Sequence, residues 1–166
     1  ANFRKGYGSH SARTYSAGAN VRLAGDALLL YGNYSRSFNT GVAVDGGTGK
    51  IQKPEEAHGP ELGFKGVFGG ERFAYTVAAF DIIKDNIATP NPDYLAGTSP
   101  AGVPQFLGQG QERATGFDLS LSARLTPALT VLGTFGHVDA TIRKHETASL
   151  IGDRLTLTAG QTASGI

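Results

Sequence analysis

The sequence predicts an all-β chain, an antiparallel transmembrane β-barrel segment of about six strands. Three observations carry this. First, GFDLSLSARL (116–125) alternates almost without error. Phe117, Leu119, Leu121, Ala123 and Leu125 share one face; Gly116, Asp118, Ser120, Ser122 and Arg124 share the other. A period of two is a β-strand with one apolar and one wet face. Second, the candidate strands run about 10–14 residues, beyond the usual soluble mode of about 5–6. Third, the connections alternate between short turns and long polar loops. Antiparallel strands joined in sequence then gather every short turn at one end and every long loop at the other, as in outer-membrane barrels.

The first expected strand, 14–23, sets Tyr15, Ala17, Ala19, Val21 and Leu23 against Ser16, Gly18, Asn20 and Arg22. Ala24-Gly25-Asp26 turns the chain. The second, 27–38, places Leu28, Leu30, Gly32 and Tyr34 opposite Tyr31, Asn33, Ser35 and Ser37. A Gly-rich polar loop, 39–57, follows. The third, 58–69, alternates Leu62, Phe64, Gly66 and Phe68 with Glu61, Gly63, Lys65 and Val67, and Gly69-Gly70-Glu71-Arg72 makes a tight turn. The fourth, 73–86, has less distinct faces. The loop 87–111 carries Pro90, Pro92, Pro100 and Pro104. The fifth is the alternating run; Thr126-Pro127-Ala128 turns it into a sixth, 129–142. The polar remainder, 143–166, reads as a third long loop.

Composition agrees. The chain has 166 residues, 40% of them hydrophobic, and a mean hydropathy of −0.16, as expected where every strand buries one face and wets the other. A net charge of +1 gives no broad field for nucleic acid. Without cysteine no disulfide forms, and the redox compartment is left open. No apolar run reaches the roughly 18 residues of a transmembrane helix, whereas a barrel strand needs only about 9–11 alternating residues. Ala1 is not Met, and no basic and apolar leader pattern follows it. A mature chain, or an internal piece of a longer one, is therefore expected. Tyr15, Phe38, Phe73, Tyr75 and Phe117 lie near strand ends; an interfacial aromatic girdle and the general preference of aromatics for strands account for them equally.

No catalytic constellation emerges. Gly46-Gly47-Thr48-Gly49-Lys50 fails as a phosphate loop, because Val44 stands where a Gly is needed and Ile51 where Ser or Thr is needed; a flexible loop tip is expected. His10, His58, His137 and His145 lack metal-ligand spacing, and no nucleophile elbow occurs. Asp81 and Asp85 share a strand face with Lys84 nearby, which suits a solvated rim. Asn33-Tyr34-Ser35 matches a glycosylation sequon, but its mid-strand position makes the match fortuitous. The chain is expected not to be an enzyme.

Four segments occur in an order that resembles a known family. They are LLLYGNYSRSF (28–38), PEEAHGPELGFKGVF (54–68), FAYTVAAFDIIKDNIAT (73–89) and GQERATGFDLSLSARLTPALTV (110–131). Together they resemble the late barrel strands of TonB-dependent outer-membrane receptors, especially siderophore receptors, over residues 14–142. Pro54-Glu55, Glu61-Leu62-Gly63-Phe64-Lys65, Phe80-Asp81-Ile82 and Asn86-Ile87 occupy the matching positions. The resemblance implies a plugged barrel of about 22 strands in the bacterial outer membrane. It implies a receptor that binds a scarce ligand, commonly a ferric siderophore, and imports it with energy from the TonB complex. The partners implied are outer-membrane lipid, a small-molecule ligand and, through a plug, TonB; no nucleic acid and no cofactor is expected. The sequence departs from the pattern in having no plug, no TonB-contacting segment and no closing strands. Residues 1–166 are thus expected to form part of a barrel domain.

If Leu30, Phe64, Leu119 and Leu121 face lipid, then Tyr31, Asn33, Ser35, Glu61, Lys65, Asp118, Ser120 and Arg124 face the lumen. There they are candidates for contact with a plug or passing ligand, or else paired wall residues facing water. Phe38, Tyr94 and Phe106 are loop candidates for capping a bulky ligand, or for packing the loops together. A passive porin and a soluble β-rich binding module are the alternatives; the latter would turn Leu30, Phe64, Leu119 and Leu121 into a dry core.

Overall fold

A computed structural model describes residues 10–39, 44–95, 97–155 and the strand 162–165. The chain forms one antiparallel meander of seven strands in sequence order: β1 (Tyr15–Arg22), β2 (Leu29–Asn39), β3 (Glu55–Phe68), β4 (Phe73–Pro90), β5 (Phe106–Thr126), β6 (Leu129–Lys144) and β7 (Thr162–Gly165). No helix among the described residues is long and apolar enough to cross a membrane.

The register fixes the faces. Val21, Leu30, Phe64, Val77, Leu119 and Phe135 form one continuous row across β1 to β6. The row toward the short turns holds Gly66, Tyr75, Leu121 and Gly133. This face is apolar and bare: Leu62 is 64% exposed and Leu121 50%. Among the described residues only Ala78 and Ala140 are buried hydrophobics. The soluble-module alternative required a dry core beneath Leu30, Phe64, Leu119 and Leu121, and none exists. An apolar sheet face of this extent is stable only against lipid or another apolar surface.

The band is bounded at both ends. On β4 it runs from Phe73 to Ala79 and gives way to Asp81; on β5 it runs from Leu125 to Phe117 and gives way to Arg113. Eight residues from Phe73 to Asp81, on a strand tilted as in barrels, rise about 20 Å, close to the apolar band of about 25 Å in such walls. Aromatic rings mark each boundary. Phe68 stacks on Phe73 at 5.0 Å beside the turn end, and Tyr15 stacks on Tyr34 at 6.3 Å toward the other.

The short turns are drawn tightly against the sheet. Gly69, Gly70 and Glu71 take φ of 64°, 66° and 64° in succession, a left-handed path that glycine follows without steric cost. Arg72 then donates from Nη2 to the Leu125 carbonyl at 2.8 Å, tying this turn to the end of β5.

Three expectations are corrected. β4 and β5 are 18 and 21 residues long, so the loop expected at 87–111 contracts to 91–105 and Phe106 opens β5. Thr89 explains part of the extension: it is 3% exposed and its hydroxyl donates to the Leu107 carbonyl, continuing the pairing beyond the bulge at Asn86. β3 starts at Glu55, so the preceding loop is shorter too. The polar stretch 143–166 is not simply a loop. A 3-10 turn at Ala148–Leu150 reverses the chain, the Leu155 N–H donates to the Ala140 carbonyl, and β7 pairs with Thr134–His137.

The two faces predict unequal tolerance. Leu121→Arg puts a guanidinium into the apolar band at a cost of about 2–4 kcal/mol, while Ser120→Arg projects from the opposite face. Assembly into outer membranes, read by heat-modifiable gel mobility, is expected to fail for the first and survive for the second.

Candidate functional site

The face opposite the apolar band is the candidate site. Three register rows order it. Asn33 lies opposite Glu61, in the row that continues through Phe80 and Gly116. Tyr31 and Asp118 share the next row, with Gly63 and Ala78 between them. Lys65 and Ser120 share the third, with Thr76 between. Ser35 lies nearer the loops, opposite Gly59, and Arg124 nearer the turns, opposite Thr130.

Small residues let the polar ones lie flat. A Cβ at Gly63 would sit 2.6 Å from Tyr31 Cζ, so the Tyr31 ring lies across that glycine. The same ring has the Lys65 ammonium over it, 5.8 Å from its centroid, a cation–π contact. Asp118 Oδ1 occupies the space over Gly136, 2.7 Å from where a Cβ would be. The structure therefore brings Tyr31, Glu61 and Lys65 together on adjacent strands and leaves Arg124 apart.

The loop candidates separate. Phe38 is a strand residue of β2, on the same face as Leu30 and Tyr34 and opposite Glu56, so it does not belong to a loop. Tyr94 lies in the β4–β5 loop against the turn 45–50: a Cβ at Gly47 would be 3.0 Å from its Cε2. Phe106 opens β5, and its backbone is held by Asp45.

Asp45 is the residue that sequence reasoning passed over. It is 3% exposed. Its Oδ1 accepts from the N–H of Gly47 at 3.0 Å and of Thr48 at 2.8 Å, and from the Thr48 hydroxyl at 2.9 Å. Its Oδ2 accepts from the Phe106 N–H at 3.0 Å, across 61 positions of sequence. The Gly46–Lys50 stretch is thus an Asx-type turn docked on the neighbouring loop, where a flexible tip was expected. Burial pushes the Asp45 carboxyl up, but the donors from Phe106, Thr48 and Gln105 outweigh it and hold its pKa at about 2. The Asp-Gly-Gly-Thr string carried the local half of this signal; its partner strand was not legible.

On the band side, above the apolar rows, charged residues pair across strands. Arg36 bonds Glu56. Arg113 Nε donates to Asp81 Oδ1 at 2.7 Å, and Arg154 Nη2 to Asp139 at 3.0 Å. His58 bridges Tyr34 Oη at 2.8 Å and Asp85 at 3.1 Å, and Gln111 donates to the other Asp85 oxygen at 2.7 Å. Asp81 and Asp85 therefore serve separate partners. Lys84 lies on the opposite face and pairs with Glu55 at 2.8 Å. No group of three or more metal-ligating side chains converges among the described residues.

A one-faced antiparallel wall, polar within and banded apolar without, defines an outer-membrane β-barrel. Residues 2–166 match the family model described as TonB dependent receptor-like, beta-barrel, and the chain belongs to that family. The family is one of bacterial outer-membrane receptors and transporters rather than a class of enzymes. The chain is 36% identical over 117 residues to the metal-pseudopaline receptor CntO of Pseudomonas aeruginosa, covering 70% of this chain and 15% of that protein. Its fold is similar to the ferripyoverdine receptor of the Pseudomonas aeruginosa outer membrane, with TM-score 0.71 and 22% identity over 93% of this chain and 20% of that one. It is also similar to the ferric-catecholate import receptor Fiu of E. coli, with TM-score 0.63 and 25% identity over 80% of this chain and 18% of the other. The chain thus spans under a quarter of the length of these relatives.

The loop junction makes a pH prediction. Because the folded Asp45 pKa lies below the ordinary carboxylate value, its contribution is fully present above about pH 4 and is lost as pH falls toward 2. Hydrogen bonds to a charged group contribute about 1.5–3 kcal/mol each. Spin labels on Lys50→Cys and Ala101→Cys, in a chain with no native cysteine, are expected to give a narrow distance distribution at neutral pH that broadens only in that acid window. Asp45→Asn is expected to broaden it at every pH.

Proposed function

We propose that this chain is part of the barrel wall of a receptor that binds a scarce metal chelate outside the cell and imports it, with a ferric siderophore as the leading candidate. The observation that carries the reading is the family match over nearly the whole chain, joined to a sheet whose faces separate as lipid wall and polar lumen. In this reading further strands close the ring at β1 and β7, since unpaired strand edges are not tolerated in hydrocarbon. A plug occupies the lumen and couples the receptor to TonB. Tyr31, Asn33, Ser35, Glu61, Lys65, Asp118, Ser120 and Arg124 line the path and meet plug or ligand. Tyr94 and Phe106 serve the mouth, Tyr94 by packing the loops and Phe106 at their junction. CntO supports a metal–metallophore complex as ligand class, and the Fiu and ferripyoverdine receptors support a ferric chelate. In this reading the metal chelate is cargo and not a resident cofactor.

The test is uptake. Metal-starved cells carrying the receptor are expected to accumulate radiolabelled metal from a supplied chelate. Removing TonB is expected to abolish accumulation while leaving surface binding intact. Accumulation that persists without TonB would favour a passive pore. Lys65→Ala is expected to lower uptake several-fold without loss of assembly, by removing the cation over Tyr31; uptake unchanged in that variant would confine Lys65 to wall pairing.

A further inference from the structure

The turn 45–50 and the β4–β5 loop do more than touch. Between them lies a groove of about 280 Å³ lined by Lys50, Ile51, Gln52, Lys53, Pro104 and Phe106, with Asp45, Thr48 and Gly108 completing it. Ile51, Pro104 and Phe106 give it an apolar surface. Lys50 and Lys53 give it charge: both are exposed, and neither pairs with a carboxylate among the described residues. The lone acid of the groove, Asp45, is already committed, with its oxygens accepting four hydrogen bonds from Gly47, Thr48 and Phe106. The groove thus sets two ammonium groups, unpaired among the described residues, beside an apolar wall of Ile51, Pro104 and Phe106.

This combination selects a ligand with acceptor oxygens, net negative charge and an apolar or planar part. We propose that the groove is a capture subsite for an anionic metal chelate, whose outer oxygens face Lys50 and Lys53 and whose apolar part rests on Phe106 and Pro104. This rests on the reading of the chain as the wall of a chelate receptor and adds the sign of the ligand's charge and its first point of contact. Two unpaired cations in one concavity raise the local concentration of an anion and its rate of capture, an effect that added salt screens. The turn is rigidly seated: a Cβ at Gly47 would stand 1.8 Å from the Val103 carbonyl oxygen, so the groove exists before any ligand arrives.

The experiment is a titration of the natural-length receptor in nanodiscs, by calorimetry at about 50 and about 300 mM salt. The probes are neutral iron(III) trishydroxamates, trianionic iron(III) triscatecholates, ferric citrate, and aminocarboxylate complexes of iron, nickel, cobalt and zinc. No binding by any probe overturns the receptor reading, and the inference with it. Where a probe binds, the expected result is an anionic one whose affinity falls with salt. Lys50→Ala with Lys53→Ala is then expected to weaken it roughly tenfold and flatten the salt dependence, and Lys50→Arg with Lys53→Arg to retain it. A neutral or cationic binder, or unchanged affinity in the alanine variant, overturns the inference and leaves the receptor reading standing.

Discussion

A backbone that crosses hydrocarbon must satisfy each N–H and C=O from its own sheet, because nothing else there can accept or donate. The rest of this structure depends on that constraint. Pairing is unbroken through the middle of the apolar band. Phe73 to Phe80 pair residue for residue with Ala123 to Gly116, and Phe117 to Ala123 with His137 to Val131. The register shifts fall at its edges and beyond, at Lys84/Ile87, Ile87/Ala88 and Gln111/Glu112 toward the loops and at Arg124/Thr126, beside the band's last residue Leu125, by the turn. A bulge leaves a residue unpaired and bends the strand, which water tolerates and lipid does not. An unbroken register also keeps the faces pure. One slipped residue in β5 would exchange Leu119 with Asp118, and every row beyond it would turn over.

The charged pairs above the band follow from the same boundary. Arg36–Glu56, Arg113–Asp81 and Arg154–Asp139 are partly exposed, and such pairs contribute only about 0–1 kcal/mol each. Their value lies in position more than in stability. Each joins residues that the meander brings side by side where the wall leaves hydrocarbon, so the outward face becomes polar without stranding a lone charge at the interface. The Tyr34–His58–Asp85–Gln111 chain does the same across four consecutive strands. With the imidazole proton on Nε2, the ring donates to Asp85 and accepts from Tyr34, and every member has a partner.

Much of this was legible in the sequence because its physics is local. Alternation in 116–125 and 58–69 fixed both strand type and face, and Gly69-Gly70 announced its turn. What stayed hidden was non-local. The upper halves of β4 and β5 carry Pro90, Asn86 and several glycines, which read as loop. They are strand because Thr89 and Leu107 find each other across the bulge, and no local pattern specifies that meeting. Phe38 stands at the end of the second expected strand, where strand and loop mouth meet; its pairing with Glu56 places it in the wall, on the outward face with Leu30 and Tyr34. Asp45 shows the limit most clearly. Its turn with Thr48 is a short-range motif, but the bond that seats it joins residues 61 apart. The side of the sheet a residue occupies was readable; which of those residues touch a ligand depends on groups that share no strand pair with them.

Seating the loops by a carboxylate of depressed pKa has a mechanical consequence. Protonation does not loosen Asp45 at any pH the outer membrane ordinarily meets, so the junction at Phe106 is preorganised, and a preorganised site spends less of its binding energy on ordering. Phe106 also begins the strand whose lower half carries Asp118. Twelve residues at about 3.4 Å each separate them by roughly 40 Å along β5, far more than one chelate can span. A ligand held at the loop junction therefore cannot also touch the Tyr31–Lys65 wall. On the proposed reading, capture and passage are therefore separate events linked by one strand, and the loops can be tuned for charge without disturbing the register of the wall below.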